Sequence, residues 1–356
     1  MYELIAAFFT SFLVTLFIIR YKHLHQQFSS DSNLSGPQKF HLTPVPRIGG
    51  VSIALGLLVA VSIKIIDHEA KNQDLLLLAC TIPTFGIGLL EDLTKAISVK
   101  QRLLFTAISA ASIIYLLGFQ ITSFGIPFLD LLFAIPFFGI VFTIFAITGL
   151  ANAYNIVDGF NGLSSMVGII SLLALAYVGY ALGDTSILSL SLVMAGAILG
   201  FFIWNYPQGL IFLGDGGAYL IGFWIATLSI MICYRHPEVS PWFAIVLNAY
   251  PILETLFTIY RRRIHQGKSP GTPDGIHFHT LIYRRILLAK YFDSTLTANA
   301  RTAPYLWFLS GLSVTPAVLW WSSTPILICV FVLFVTFYVW LYSRIVKFKT
   351  PNWMYL

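Results

Sequence analysis

Apolar residues run through this chain in blocks close to the ~20 residues that cross a bilayer as a helix. The pattern predicts eleven such helices, at 3–19, 48–66, 74–90, 103–120, 128–150, 164–182, 186–204, 217–234, 241–260, 304–321 and 325–343. Neither an internal repeat nor a low-complexity linker separates them. Residues 1–356 therefore read as one all-α, polytopic membrane domain. Within it, 261–303 is a long loop whose HTLIYRRILLAKYF stretch predicts an amphipathic helix lying along the membrane surface.

Composition agrees. Hydrophobic residues make up 57% of the chain and charged residues 10%, against about 25% charged in a soluble domain. Buried helices of a large soluble protein would not leave so few charges to cover a surface. Cys80, Cys233 and Cys329 all fall inside predicted spans, so disulfide staples and metal-ligand spacing are not expected. Met1 to Ile19 carries Glu3 and no basic residue before its apolar run, which predicts a retained first helix rather than a signal peptide.

Charge sets the expected orientation. With the N-terminus outside and the C-terminus cytoplasmic, only Lys64, Lys71 and Arg235 of the 21 basic residues fall on the outer side. That asymmetry fits the positive-inside rule. The net charge of +6 then reflects membrane orientation and anionic lipid or nucleotide partners, and no nucleic-acid surface is expected. In this topology the outer connections are short and bland. The inner ones hold nearly every unusual residue: QKFHLTPVPRIGG (38–50), GLLEDLTKAISVKQR (88–102), ANAYNIVDGFNG (151–162), NYPQGLIFLGDGGAY (205–219) and RRRIHQGKSPGTPDGIHFHTLIYRR (261–285).

Each inner connection has a plain reading and a chemical one. Glu91 and Asp92 can simply end a helix. As adjacent carboxylates they repel, which a cation, Lys95 or Lys100, or a retained proton would relieve. Asp215 in GDGG is either a turn aspartate or part of a glycine-rich approach to phosphate at a helix start. Asp158 can cap the following helix. On a helical segment it also continues an i, i+3, i+6 line with Asn152 and Asn155, a stripe suited to a nucleobase, sugar, hydroxyl or metal. His277 and His279 would point the same way on an extended segment. Two histidines make a weak zinc case and suit phosphate better. Arg261 to Arg263 can anchor a helix at the headgroups. Acids, amides, glycine turns, histidines and bases on one membrane face suit a divalent cation, a diphosphate substrate and a bilayer-borne partner. A transporter would instead carry its charges near the midplane in paired halves, which this sequence does not show. A membrane scaffold would need neither the acid pair nor GDGG and HFH.

PRIGG, EDL, NAYNIVDGFNG, FLGDGGAY and PDGIHFHTLIYRR, in this order, resemble the polyprenyl-phosphate N-acetylhexosamine-1-phosphate transferases over roughly residues 39–285. The helix number fits the WecA-like branch. The resemblance implies transfer of an N-acetylhexosamine-1-phosphate from a UDP-sugar to undecaprenyl phosphate, with release of UMP and a requirement for Mg²⁺, for which Mn²⁺ can substitute. It implies a bacterial cytoplasmic (inner) membrane protein working at the bilayer's inner face, and it allows a homodimer. Asp215 maps to a magnesium ligand. Glu91 and Asp92 map to a pair that handles the metal or deprotonates the lipid phosphate, with Asp92 the more important. Asn152, Asn155 and Asp158 map around the nucleotide-sugar and metal, His277 and His279 near the diphosphate or sugar, and Lys39 to a basic position before PRIGG.

Three departures bear on the donor. Glu91 replaces the aspartate usual in the acid pair, Asn161 replaces a second aspartate, and Thr280 follows where a further histidine is frequent. They point away from the peptidoglycan donor and towards an O-antigen or related surface-glycan initiator. UDP-GlcNAc, or a modified sugar such as FucNAc or QuiNAc, would be the donor, with Asn161 a specificity position. Teichoic-acid linkage or peptidoglycan precursor synthesis is the alternative within the family.

Overall fold

The computed structural model describes residues 2–31, 44–68, 71–267, 274–288 and 295–355. Lys39 lies outside the described residues, as do 289–294 of the expected surface helix. Helices α1 (Tyr2–Arg20) and α2 (Lys22–Ser29) lead into a two-residue antiparallel pairing of β1 (Ser30–Asp31) with β2 (Val45–Pro46). The bundle continues with α3 (Gly49–Ile66), α4 (Asn72–Thr94), α5 (Val99–Leu117), α6 (Pro127–Phe133), α7 (Pro136–Val157) and α8 (Leu163–Ala181). Then come α9 (Thr185–Asn205), α10 (Gly214–Arg235), α11 (Pro241–Leu247), α12 (Ala249–Tyr260), α13 (Phe278–Ile282), α14 (Thr295–Leu319) and α15 (Thr324–Val346).

Among the described residues, nine helices are long and apolar enough to cross a membrane, and the bent α11–α12 pair makes up to a tenth. The eleventh expected run lies in α14, 25 residues long, which carries Pro304, Pro316 and a polar first half and falls short of that standard. The run at 128–150 is not one helix. Ile135 adopts an extended conformation before Pro136, because the residue preceding a proline avoids the helical region, and α7 starts afresh. The run at 241–260 bends by 74° at Asn248. Pro251 has no N–H for the preceding turn. The Asn248 side chain fills part of the gap by donating to the Ala244 carbonyl at 3.0 Å and accepting from the Tyr154 hydroxyl at 3.2 Å.

Helix α10 is the centre of the bundle: 94% of its apolar window is buried, against 17% for α1 at the periphery. Helices α3, α4, α7 and α8 surround it. Two glycines bring α3 and α4 onto its N-terminal turn. A Cβ on Gly50 would lie 2.3 Å from the Gly217 nitrogen, and one on Gly88 would lie 2.7 Å from Gly216. Backbone contact of this kind is how membrane helices pack closely. At the opposite end of the bundle, connections that the sequence pattern presents as bland hold an ionic network. Asp184 pairs with Arg235 at 3.1 Å and His236 at 3.2 Å, and Lys64 with Asp74 at 3.4 Å.

Candidate active site

The N-terminal turn of α10, bearing the GDGG residues, gathers the first three polar connections. The 45–50 segment runs alongside 212–213. Phe212 N–H donates to the Pro46 carbonyl (2.8 Å), Gly49 N–H to Phe212 (3.0 Å) and Gly50 N–H to Leu213 (2.9 Å). This delivers the Arg47 guanidinium to the start of α10, where Nε lies 3.2 Å from Asp92 Oδ1 and Nη2 lies 3.1 Å from Asp215 Oδ1.

Asp92, at 1% exposure, reaches across from α4. Its Oδ1 accepts the Asp215 N–H at 2.8 Å and its Oδ2 the Gly216 N–H at 2.9 Å. The first N–H groups of a helix have no partner within it and carry partial positive charge. Asp92 therefore caps α10 in trans and fixes the backbone that displays Asp215.

The neighbouring acid does a different job. Glu91 Oε2 accepts the Ile97 N–H at 2.7 Å and so shapes the turn after α4. Ser98 then caps α5 by accepting the Gln101 N–H at 3.3 Å. One residue later Arg102 extends onto the carboxylate of Asp215, pairing through Oδ2. The Arg102 guanidinium also lies 5.9 Å from the Tyr219 ring centroid. Tyr219 in turn donates its hydroxyl to Asn152 Oδ1 at 2.9 Å, which ties the 151–162 connection to the same place.

Within that connection α7 ends at Val157, and Asp158 has left the helix with φ −77° and ψ 57°. The stripe of three is thus Asn152 and half-buried Asn155 on the helix, with Asp158 just beyond its end. Asp158 does not cap the next helix either, since that position belongs to Gly162 at φ +72°. The partly buried Asp158 carboxyl is pushed up to about 7, chiefly by burial, with the Arg47 charge pulling the other way.

Asn161 faces a separate clip. Its Nδ2 donates to the Pro207 carbonyl at 3.1 Å and its N–H to Asn299 Oδ1 at 3.2 Å. Next to it Asn205 accepts the Gly162 N–H (2.6 Å) and donates to Ile211 (2.7 Å). This clip locks the 158–162 turn to the segment leading into α10.

The two histidines converge on the other side of that turn. Their rings stack with centroids 5.1 Å apart, although His277 precedes α13 and His279 lies within it. His279 packs on the Gly159 backbone, where a Cβ would come within 2.8 Å of Nε2. Burial pushes the His279 imidazole down to about 3, against the pull of Glu254, so it is neutral at ordinary pH. Asp274 is held by Arg261 and, at 3.6 Å, by Arg262. Burial opposes its ionisation, but the hydrogen bond from Arg261 and the nearby His277 and Arg261 charges hold the carboxyl below its ordinary value. Two of the three consecutive arginines thus turn inwards to a carboxylate; Arg263 is exposed.

Several residues outside the expected set complete the site. Arg47 and Arg102 were visible only as bases near motifs, and Tyr219 as an aromatic after GDGG. Glu254 had a clearer signal: it is a lone acid inside an apolar run, where an ionisable group is expected to be functional and partnered. Among the described residues no group of three or more His, Cys, Asp or Glu side chains is disposed to hold a metal ion. Mg²⁺ does not require one, because it takes one or two carboxylates and keeps phosphate oxygens and waters for the rest. Asp215 and Asp158 are hard oxygen donors of the kind it takes, and Arg47 and Arg102 hold the two Asp215 oxygens here.

Comparison with known proteins gives consistent matches. The Glycosyl transferase family 4 profile matches residues 75–233, which contain the acid pair, the NxxNxxDG segment and GDGG. The chain is 29% identical over 304 residues to a probable undecaprenyl-phosphate N-acetylglucosaminyl 1-phosphate transferase of Bacillus subtilis, covering 82% of this chain and 80% of that protein. It is 30% identical over 286 residues to the undecaprenyl-phosphate alpha-N-acetylglucosaminyl 1-phosphate transferase of Thermotoga maritima, covering 80% and 81%. A phospho-N-acetylmuramoyl-pentapeptide-transferase of Staphylococcus aureus is 31% identical over 246 residues, covering 65% and 75%.

Proposed function

The chain belongs to the polyprenyl-phosphate N-acetylhexosamine-1-phosphate transferase family, and from that premise we propose that it initiates a surface glycan of the O-antigen type on the inner bacterial membrane. Its activity is transfer of a sugar phosphate to undecaprenyl phosphate. The donor proposed is UDP-GlcNAc or a modified UDP-amino sugar. An oxygen of the acceptor phosphate attacks the β-phosphorus, the bond from that phosphorus to the bridging oxygen breaks, and UMP leaves with the electron pair.

The observation that carries this reading is the convergence of Arg47, Arg102, Asp215 and the Asp92-capped turn of α10 at one end of the bundle. Phosphoryl transfer asks the protein mainly for positioning and charge neutralisation. Arg47 and Arg102 supply two guanidiniums where a diphosphate would meet the carboxylates. Asp215, with Asp158, would hold Mg²⁺ or Mn²⁺, whose chemistry when bound is to neutralise charge on the diphosphate oxygens. Asp92 serves by fixing the Asp215 backbone, and Glu91 by shaping the turn that aims Arg102. The high-lying Asp158 carboxyl of the ligand-free protein would give up its proton on taking the cation. Asn152 and Asn155 face the nucleotide-sugar, and His277 and His279 its diphosphate or sugar. Asn161 acts on donor choice through the turn it locks, and Lys39 meets the acceptor or donor phosphate.

The test is release of UMP by purified protein supplied with undecaprenyl phosphate, Mg²⁺ and a panel of UDP-amino sugars. Turnover with UDP-GlcNAc or a 6-deoxy amino sugar supports the proposal. A preference for UDP-N-acetylmuramoyl-pentapeptide would move the protein to peptidoglycan synthesis. No turnover with any donor, together with solute flux through proteoliposomes, would refute the transferase reading.

A further inference from the structure

Glu254 lies in α12 just beyond the 74° bend, at 1% exposure. A carboxylate so deep in an apolar protein is costly unless its oxygens are satisfied. Here three donors from two other parts of the chain meet it. Oε1 accepts from His277 Nδ1 at 3.0 Å and from the Phe278 N–H at 3.0 Å. Oε2 accepts from the Tyr338 hydroxyl, carried by α15, at 2.9 Å. Thr258, one turn along α12, places Oγ1 3.2 Å from the same His277 nitrogen.

The consequence for His277 is chemical as well as mechanical. A carboxylate beside Nδ1 requires a proton on that nitrogen, and the tautomer of a histidine is set by the bond its other nitrogen makes. With Nδ1–H committed to Glu254, Nε2 is the nitrogen left for another partner, and Asp274 Oδ2 lies 3.9 Å from it. The same bonds fix the first turn of α13, and with it the His279 ring stacked on His277. His279 Nδ1 is buried and has no hydrogen-bond partner among the described residues. An element clamped this firmly, yet leaving a buried imidazole nitrogen unsatisfied, is arranged for a ligand rather than for packing alone.

We propose that Glu254, supported by Tyr338, is a positioning residue of the transferase. It holds His277 as the Nδ1–H tautomer and fixes the His277–Phe278–His279 element against the Gly159 turn, so that both rings meet the donor in one geometry. This rests on the transferase reading above, and it gives the last helix a part in the site through Tyr338.

Two measurements decide it. Nitrogen-15 histidine spectra of protein in lipid nanodiscs, with His277 assigned by its loss in His277→Gln, should show the Nδ1–H form. Glu254→Leu, which removes the acceptor oxygen shared by His277 and Phe278, should shift that resonance towards Nε2–H; an unchanged tautomer would overturn the proposal. In the UMP-release assay, Glu254→Leu should lower kcat by about 10- to 100-fold, the scale seen when a histidine's hydrogen-bonding partner is removed. KM for the UDP-sugar should change far less. Glu254→Gln, which keeps an acceptor oxygen for His277 and Phe278, should retain more of the rate than Glu254→Leu, and Tyr338→Phe, which removes one of the donors to Glu254, should lose part of it. A pure folding staple would instead lower yield and melting temperature while leaving the kcat of the folded fraction unchanged, and that result would also overturn the proposal. If the wild-type protein turns over no donor, the transferase reading fails, while the tautomer spectra still report on the clamp.

Discussion

Replacing Asp92 by asparagine separates a clamp from a reacting group. The wild-type carboxylate offers an acceptor oxygen to each of two backbone N–H groups, at 2.8 and 2.9 Å, and to Arg47 Nε at 3.2 Å. An asparagine of the same shape has one oxygen and one NH₂, so one N–H of the α10 turn would face a donor. The loss is one charge-assisted hydrogen bond, about 1.5–3 kcal/mol. The vanished charge at the helix N-terminus adds about 0.3–1 kcal/mol. Asp92→Asn should therefore destabilise the protein by about 2–4 kcal/mol, measured by SDS titration of the folded protein in mild detergent. Turnover should fall with it, because the displaced turn carries Asp215. Asp92→Ala should cost more, since it removes every acceptor oxygen from both N–H groups of the turn and from Arg47 Nε. Unchanged stability with complete loss of turnover in Asp92→Asn would refute the clamp and make Asp92 a group that takes part in the reaction.

Other outcomes follow from the same geometry. Asp215→Asn should reduce UMP release by at least about 100-fold, on the scale of losing a principal electrostatic group, while the protein still elutes as a folded species; near-normal turnover would remove Asp215 from the site. Gly50→Ala would drive a Cβ to within 2.3 Å of the Gly217 nitrogen and should cost about 1–3 kcal/mol or more by overpacking, with activity lost alongside; a neutral effect on unfolding would contradict the close approach of α3 and α10. Stability of the ligand-free protein should also carry a signature of Asp158. Its folded carboxyl is raised to about 7 from an unfolded value of about 4, so the folded state binds this proton more tightly. The resulting stabilisation is complete below about pH 4 and is lost as pH rises towards 7. Asp158→Asn should flatten that decline in unfolding curves taken between those limits, and an unaltered slope would count against the raised carboxyl.

Much of this arrangement is legible from the chain, because apolar runs and glycine-rich polar breaks are local signals. The runs mark most of the long helices, and GDGG and EDL lie where Arg47, Arg102, Asp92 and Asp215 converge. What each acid does is not local. Asp92 meets Gly216 across 124 positions, and nothing near Asp92 in sequence separates a clamp from a base. Glu91, its neighbour, spends its oxygen on the Ile97 amide, so the adjacent pair divides rather than acting as a unit. Asp158 falls one residue beyond the helix on which a uniform 3.6-residue period would place it. Glu254 sits in an apolar run with its histidine 23 positions away, and the 74° bend that brings α12 to α13 shows in sequence only as Asn248 and Pro251. Pairing across distant segments is a property of packing, and apolar periodicity fixes which residues share a face without fixing which faces meet.

In the proposed reaction a sugar and one phosphate move together. Protein in liposomes containing undecaprenyl phosphate, supplied with Mg²⁺ and UDP-GlcNAc labelled with ³²P at the β-phosphorus, tests it directly, with a 6-deoxy UDP-amino sugar labelled the same way run in parallel. The label should pass into the solvent-extractable lipid while unlabelled UMP accumulates in the water phase. Sugar transfer that leaves the label in water-soluble UDP, or no transfer to lipid from either donor, would contradict the account.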